Sequence, residues 1–182
     1  INIINRKEKL GRGSAVIEGF KWGLNNIKDL EIFIEMDCDF SHLPKYLEIG
    51  KKKNQDCDFV IGSRYPDGKI INWPYRRRVF SFLSNSLIRF LISKKIYDYT
   101  NGFRFYNRKS VEFLLSQKLI TKGYINLSET AAILLKEGFL VDSFPIYFKN
   151  RVRGKSNLGF SEIISSLYSI FIIFLKYRFF KF

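Results

Sequence analysis

Residues 30–39 read Leu30-Glu31-Ile32-Phe33-Ile34-Glu35-Met36-Asp37-Cys38-Asp39. Leu30 to Met36 reads as a short apolar strand that stops at Asp37. Two carboxylates separated by one residue then stand at its carboxyl end. Open α/β sheets bind ligands at such strand ends. An Asp-x-Asp pair there can chelate a hard divalent cation, which in turn holds a diphosphate. The competing reading is a solvated strand end, because Asp is common in turns.

On the amino-terminal side, Gly13 to Asn26 reads as a helix with Ala15, Ile17, Phe20, Trp22 and Leu24 as its apolar surface. On the other side, Pro44 suits the first turn of a helix running to Lys53. Asp58 to Ile61 is a second short buried strand, stopping at Gly62. Residues 65–74 hold Pro66, Asp67, Gly68 and Pro74 and read as loop. Arg76 to Ile92 is an amphipathic helix, with Val79, Leu83, Leu87, Phe90 and Leu91 on one face and Arg78, Ser81, Asn85 and Arg89 on the other. Residues 98–104 read as a polar loop before a helix containing Val111 to Leu115. Asn126 to Glu137 is a helix closed by Gly138. Phe139 to Phe148 is strand-like and broken by Pro145, which implies an edge or a bulge. Glu162 to Phe180 is a final helix. The alternation predicts an α/β fold with a largely parallel sheet.

With 182 residues, 46% of them hydrophobic and 26% charged, the chain can bury a core, and a disordered polymer is excluded. The net charge of +14 is uneven. Residues 1–60 carry ten charges of each sign, whereas residues 61–122 carry thirteen positive and three negative. That excess, with 19 Phe and 10 Tyr, points to a membrane surface or a nucleic acid as partner. Two cysteines exclude a disulfide scaffold. The opening Ile1-Asn2-Ile3-Ile4 shows no signal peptide and reads as a fragment or as a chain that begins inside a fold. No stretch reaches the ~20 apolar residues of a spanning helix.

Other features are weaker alone. Gly62-Ser63-Arg64-Tyr65 follows a strand, and its guanidinium is either a two-donor phosphate ligand or a solvated surface group. Arg151-Val152-Arg153-Gly154-Lys155-Ser156 is a basic loop that either closes over phosphate or stays an exposed turn. His42, the sole His, cannot make a zinc site and reads as a turn or packing residue. Cys38 reads as a small core residue. No Gly-x-Ser-x-Gly elbow and no Walker loop are present. Arg76, Arg77 and Arg78 open a helix in the most basic region, which suggests an interfacial helix on anionic lipid. The final helix, ending in Lys176, Arg178 and Lys181, fits the same picture.

Six blocks in order resemble the polyprenol-phosphate mannosyltransferases, the dolichol-phosphate mannose synthase type of family 2 glycosyltransferase. They are Lys9-Leu10-Gly11-Arg12-Gly13-Ser14, Glu35 to His42, Gly62 to Tyr65, Asn72-Trp73-Pro74 with Arg76 to Arg78, Asp98-x-Thr100-Asn101-Gly102-Phe103-Arg104, and Arg151 to Ser156. The resemblance implies a GT-A, Rossmann-like nucleotide-sugar-binding fold, incomplete at the N-terminus, over residues 1–158, followed by a membrane-associating helix over 159–182. It implies transfer of a hexose, mannose from GDP-mannose above all, to a polyprenyl or dolichyl phosphate at the cytoplasmic face of a membrane. Asp37 and Asp39 would hold Mg²⁺ or Mn²⁺, and Lys9, Gly11 and Arg64 would join them at the donor. Arg76, Arg77, Arg78, Thr100, Asn101, Arg104, Glu129 and Ser156 would serve the acceptor phosphate and the membrane. Arg151, Arg153 and Lys155 would belong to a mobile loop that clamps both phosphates. The chain departs from the pattern at Cys38, usually Ala, at Asn101, usually Ser, and at Leu127, usually Gln. It also lacks the family's opening Pro-x-Tyr-Asn-Glu block.

Related readings are a family member moving glucose from a UDP-sugar to undecaprenyl phosphate, and an inactive truncated member. A basic nucleic-acid-binding module would explain the +14 charge but not Asp37-x-Asp39 at a strand end. It also predicts aromatics interleaved with basic residues on a sheet face, whereas Phe here clusters on helices.

Overall fold

A computed structural model describes residues 1–8, 10–121, 123–150 and 160–179. The elements are α1 (Arg12–Asn26), β1 (Ile32–Glu35), a 3₁₀ turn (Pro44–Tyr46) leading into α2 (Leu47–Asp56), β2 (Phe59–Ser63), β3 (Lys69–Ile71) and α3 (Tyr75–Leu91). They continue with β4 (Arg104–Asn107), α4 (Arg108–Ser116), α5 (Asn126–Lys136), β5 (Val141–Pro145), β6 (Tyr147–Lys149) and α6 (Phe160–Phe179).

The main sheet has the order β1-β4-β2-β5. β4 runs antiparallel to both β1 and β2, and β5 runs parallel to β2. The sheet is therefore mixed, not largely parallel. The residues read as a polar loop before α4 end in a central strand. Four residues opened by an arginine carry little hydropathy signal, yet three of them are buried. β2 is buried at all five positions, as a strand covered on both faces should be. Its side chains alternate between two cores. Phe59 and Ile61 face Phe20, Phe33, Tyr106, Ile88 and the helices α4 and α5. Val60 faces Phe103, Phe105, Phe144 and Tyr46 beneath α2. Gly50 lets α2 approach closely, because a Cβ there would collide with the Phe105 ring.

Residues 139–148 form two strands in two sheets. β5 is the edge strand that Pro145 implied, and β6 leaves to pair with β3, inside the stretch read as loop. Cys38 is exposed, not a core residue, because β1 ends at Glu35 and the chain beyond it has left the sheet. α6 packs on α5 through Ile170 and Ile173, while Tyr168 and Phe171 are exposed. Among the described residues no helix is long and apolar enough to cross a membrane.

α3 is amphipathic with an unusual polarity. It buries Ser81, Asn85 and Ile88, and it exposes Phe82, Leu83 and Phe90 at 58%, 58% and 80%. The polar side turns inward because residues 98–100 need partners. Asn85 accepts from the Tyr99 N–H at 2.8 Å and donates to Thr100 Oγ1 at 3.1 Å.

Arg104 ties these layers together. The resemblance assigned it to an acceptor phosphate, but it is fully buried and bound to the protein itself. Its guanidinium donates to the carbonyls of Tyr99, Asn101 and Leu127 and to Thr130 Oγ1, at 2.7 to 3.1 Å. One side chain thus joins β4, the 99–101 segment and the first turn of α5. Its replacement strands several buried acceptors at once. Arg104→Met is expected to destabilise the chain by about 3 kcal/mol or more, measured by urea unfolding.

Candidate active site

β1 and β2 are both antiparallel to β4, so they point the same way and their carboxyl ends open on one edge of the sheet. Asp37 and Asp39 leave from β1, and Arg64 leaves from β2. A chain of hydrogen bonds fixes the gap between them. His42 Nδ1 accepts from the Asp37 backbone N–H at 3.0 Å, and Nε2 meets Asn101 Oδ1 at 3.1 Å. Asn101 Nδ2 in turn donates to the Gly62 carbonyl. The imidazole is buried and stacked on Phe103 at 5.1 Å. Burial pushes its pKa below the ordinary value, against the pull of Asp37, so it works as a neutral strut.

Asp98 anchors Arg64. The carboxylate is fully buried and accepts from the Arg64 backbone N–H at 2.9 Å, from Nε at 2.7 Å and from a terminal nitrogen at 2.7 Å. The same terminal nitrogen reaches Thr100 Oγ1 at 2.7 Å. The guanidinium lies 5.2 Å from the centre of the Trp73 ring and 5.6 Å from that of Phe148. Burial alone would raise the Asp98 pKa, but the charge and hydrogen bonds of Arg64 outweigh it and hold the carboxyl below the ordinary range.

On the β1 side, Arg12 pairs with Glu35, whose other oxygen accepts from Tyr106 Oη at 3.0 Å. Asp37 and Asp39 remain exposed, and Asp39 Oδ1 accepts from the Ser41 N–H at 3.0 Å. Arg77 lies over Trp73, 3.8 Å from the ring centre, and donates to Asn150 Oδ1.

These groups surround a cleft of about 190 Å³. Strand ends and loops supply Asp37, Arg64, Thr100 and Asn101, the start of α1 supplies Arg12, and the start of α3 supplies Arg77. Helices supply apolar walls through Phe80, Ile88, Ile125, Leu127 and Ile170. Such a lining suits a ligand with an anionic head and a hydrocarbon body.

A family model described as "Glycosyl transferase family 2" matches residues 1–115. The chain belongs to glycosyl transferase family 2. Its mixed α/β architecture fits the family's GT-A fold. The chain is 34% identical to "Polyprenol monophosphomannose synthase" of Mycolicibacterium smegmatis, over 93% of its own length and 64% of that protein. It is 31% identical to "Undecaprenyl-phosphate mannosyltransferase" of Micrococcus luteus, over 87% of its length and 65% of that protein. The chain thus spans a little under two thirds of these relatives.

Of the residues that the resemblance assigned, the structure brings Asp37, Arg64, Arg77, Thr100 and Asn101 to the cleft. Asp39 is two residues from Asp37, and Gly11 precedes Arg12 as the N-cap of α1. Arg76 and Arg78 are exposed on α3. Glu129 belongs with Arg104 as a correction. It is buried and accepts from the N–H groups of Ile120 and Thr121 at 2.6 and 2.8 Å, so it braces the chain before α5 and does not line the cleft. Lys9, Arg151, Arg153, Lys155 and Ser156 lie outside the described residues.

Sequence reasoning missed Asp98, Arg12, Glu35 and the strut role of His42. All four stand inside blocks already singled out, Arg12 in the first, Glu35 and His42 at the ends of the second, and Asp98 at the start of the fifth.

The Arg64–Asp98 pair predicts an acid-sensitive contribution to stability. Because the folded pKa of Asp98 is depressed, that contribution is full above the unfolded value of about 3.9 and is lost as pH falls through the folded value. Asp98→Asn strands a buried guanidinium and is expected to cost about 3–5 kcal/mol at pH 7 in urea unfolding. The gap to the unmodified chain should narrow only below about pH 4.

Proposed function

We propose that this protein transfers a hexose, mannose from GDP-mannose, to a polyprenyl phosphate at the cytoplasmic face of a membrane, with a divalent cation assisting. The observation that carries this reading is the lining of the cleft, where an exposed carboxylate and three guanidiniums meet apolar helix walls. The relatives' names, which include polyprenol and undecaprenyl phosphate chemistry, support the same substrate class.

In this reaction an anionic phosphate oxygen of the acceptor attacks the anomeric carbon. The bond from that carbon to the donor diphosphate breaks, and a nucleoside diphosphate leaves with its charge. No strong base is required. That agrees with the sole His being buried and committed to Asp37 N–H and Asn101. The protein's work is to place two like-charged phosphates near each other and to neutralise the one that leaves.

Asp37 and Asp39 would hold Mg²⁺ or Mn²⁺. The donor set fits. Two exposed carboxylates, one residue apart, suit a hard ion that takes its remaining ligands from water and phosphate. When bound, such an ion supplies Lewis-acid neutralisation of the leaving diphosphate. Arg77 faces the same cleft and offers a cation to the acceptor phosphate. The outward apolar face of α3, beside exposed Arg76 and Arg78, would rest on anionic lipid.

The test incubates membranes carrying the protein with labelled nucleotide sugars, GDP-mannose and UDP-glucose among them, and with polyprenyl phosphates. Mannolipid from GDP-mannose is expected, and its absence with every donor overturns the reading. Asp39→Asn should keep the fold by circular dichroism and lose nearly all transfer, and full activity of that variant in EDTA would count against the metal. Co-sedimentation should show binding to anionic vesicles that weakens with salt, since each basic group near such a surface contributes about 1 kcal/mol, and that falls with Phe82→Ser and Phe90→Ser, which remove apolar surface. Equal binding to neutral vesicles would contradict it.

A further inference from the structure

Arg12 opens α1, and its side chain lines the cleft beside Asp37. It also lines a neighbouring hollow with Glu35 and Asp37, so it stands between the two. Only part of its donor capacity is committed. A guanidinium carries five N–H donors, and the hydrogen bond to Glu35 runs through a single terminal nitrogen.

Its surroundings fix where it stands. Glu35 is almost fully buried, and Tyr106 Oη grips its second oxygen, so the carboxylate cannot follow the guanidinium outward. Gly102 makes room for the group, because a Cβ there would collide with the Arg12 guanidinium. A pair needed for stability alone has no reason to stand in a cleft wall, since well-packed apolar residues serve that end as well or better. The other two guanidiniums of the cleft are engaged differently. Arg64 is clamped by Asp98, and Arg77 lies on Trp73.

We propose that Arg12 binds phosphoryl oxygens of the donor diphosphate next to Asp37, and that Glu35 is the positioning residue that holds it there. This rests on the transferase reading above and adds a residue to its donor site. The planar fork matches two phosphate oxygens, as an ammonium does not. Its place beside Asp37 lets it take oxygens of the same diphosphate that a cation on Asp37 and Asp39 would hold.

The experiment is isothermal titration calorimetry of the full chain with Mg²⁺ and, separately, inorganic pyrophosphate, GDP and UDP. Arg12→Met is combined with Glu35→Gln so that no buried carboxylate is left unpaired and Tyr106 keeps an acceptor. The pair should unfold near the unmodified midpoint and bind pyrophosphate about 10- to 100-fold more weakly. Arg12→Lys keeps the charge opposite Glu35 but loses the fork, and should weaken binding several-fold even if the double variant fails to fold. Glu35→Gln alone should weaken it less than the loss of Arg12. Arg108→Gln, at a half-buried arginine of α4 that pairs with Glu112 away from the cleft, serves as control and should bind normally. Unchanged pyrophosphate affinity in Arg12→Lys and in a folded double variant overturns the assignment, while binding by the unmodified chain leaves the transferase reading standing. If the unmodified chain binds neither pyrophosphate, GDP nor UDP, both fall.

Discussion

A carboxylate with no exposure to water can persist only if its charge is met in full, and Asp98 meets this condition through Arg64. The pair accounts for more than its own stability. By gripping both the backbone and the side chain of Arg64, Asp98 pulls the 98–101 segment against the end of β2. That places Thr100 and Asn101 in the cleft wall and lets Asn101 reach His42 and Gly62. The edge where two strands end becomes a rigid frame, with Asp37 fixed at one side by its own backbone. Breaking such a pair costs far more than making it gains, so the frame has little freedom to rearrange.

The same segment explains the inverted polarity of α3. Residues 98–100 carry backbone groups that must be satisfied away from water, and Ser81 and Asn85 turn inward where Asn85 satisfies the Tyr99 N–H. A helix that uses its polar stripe on the protein must turn its apolar stripe outward. Phe82, Leu83 and Phe90 are therefore exposed as a consequence of how the cleft is built. A chain with an exposed aromatic stripe beside Arg76 and Arg78 is suited to an interface between water and lipid. Cleft and outer surface share one helix, so a membrane on one side and a phosphate on the other would lie within the width of that helix.

The inner arginines of the fold differ in how fully they are committed. Arg64 is held by a buried acid, Arg104 by backbone carbonyls and Arg12 by an acid with a second anchor. Only a guanidinium that reaches the cleft with donors to offer is placed to meet a ligand there. Burial and four hydrogen bonds to the protein itself keep Arg104 out of the cleft, although on sequence it looks like its neighbours. Glu129 is kept out in the same way by two backbone N–H groups.

The linear order of residues by itself determined a good deal here. A short apolar run ending in Asp37-Cys38-Asp39 placed a strand end and two carboxylates, because strand periodicity and turn chemistry are local. The positions of α1, α3 and α5 followed from helical spacing and terminators for the same reason. Tertiary structure alone decided the direction of β4, the split of 139–148 into two sheets, and which side of α3 is inside. It alone separated Arg12, Arg64 and Arg77, which reach the cleft, from Arg104, which does not. The physical reason is that an arginine's meaning depends on what surrounds its five donors. Those partners come from residues as distant along the chain as Arg64 and Asp98, and their meeting is set by packing rather than by spacing.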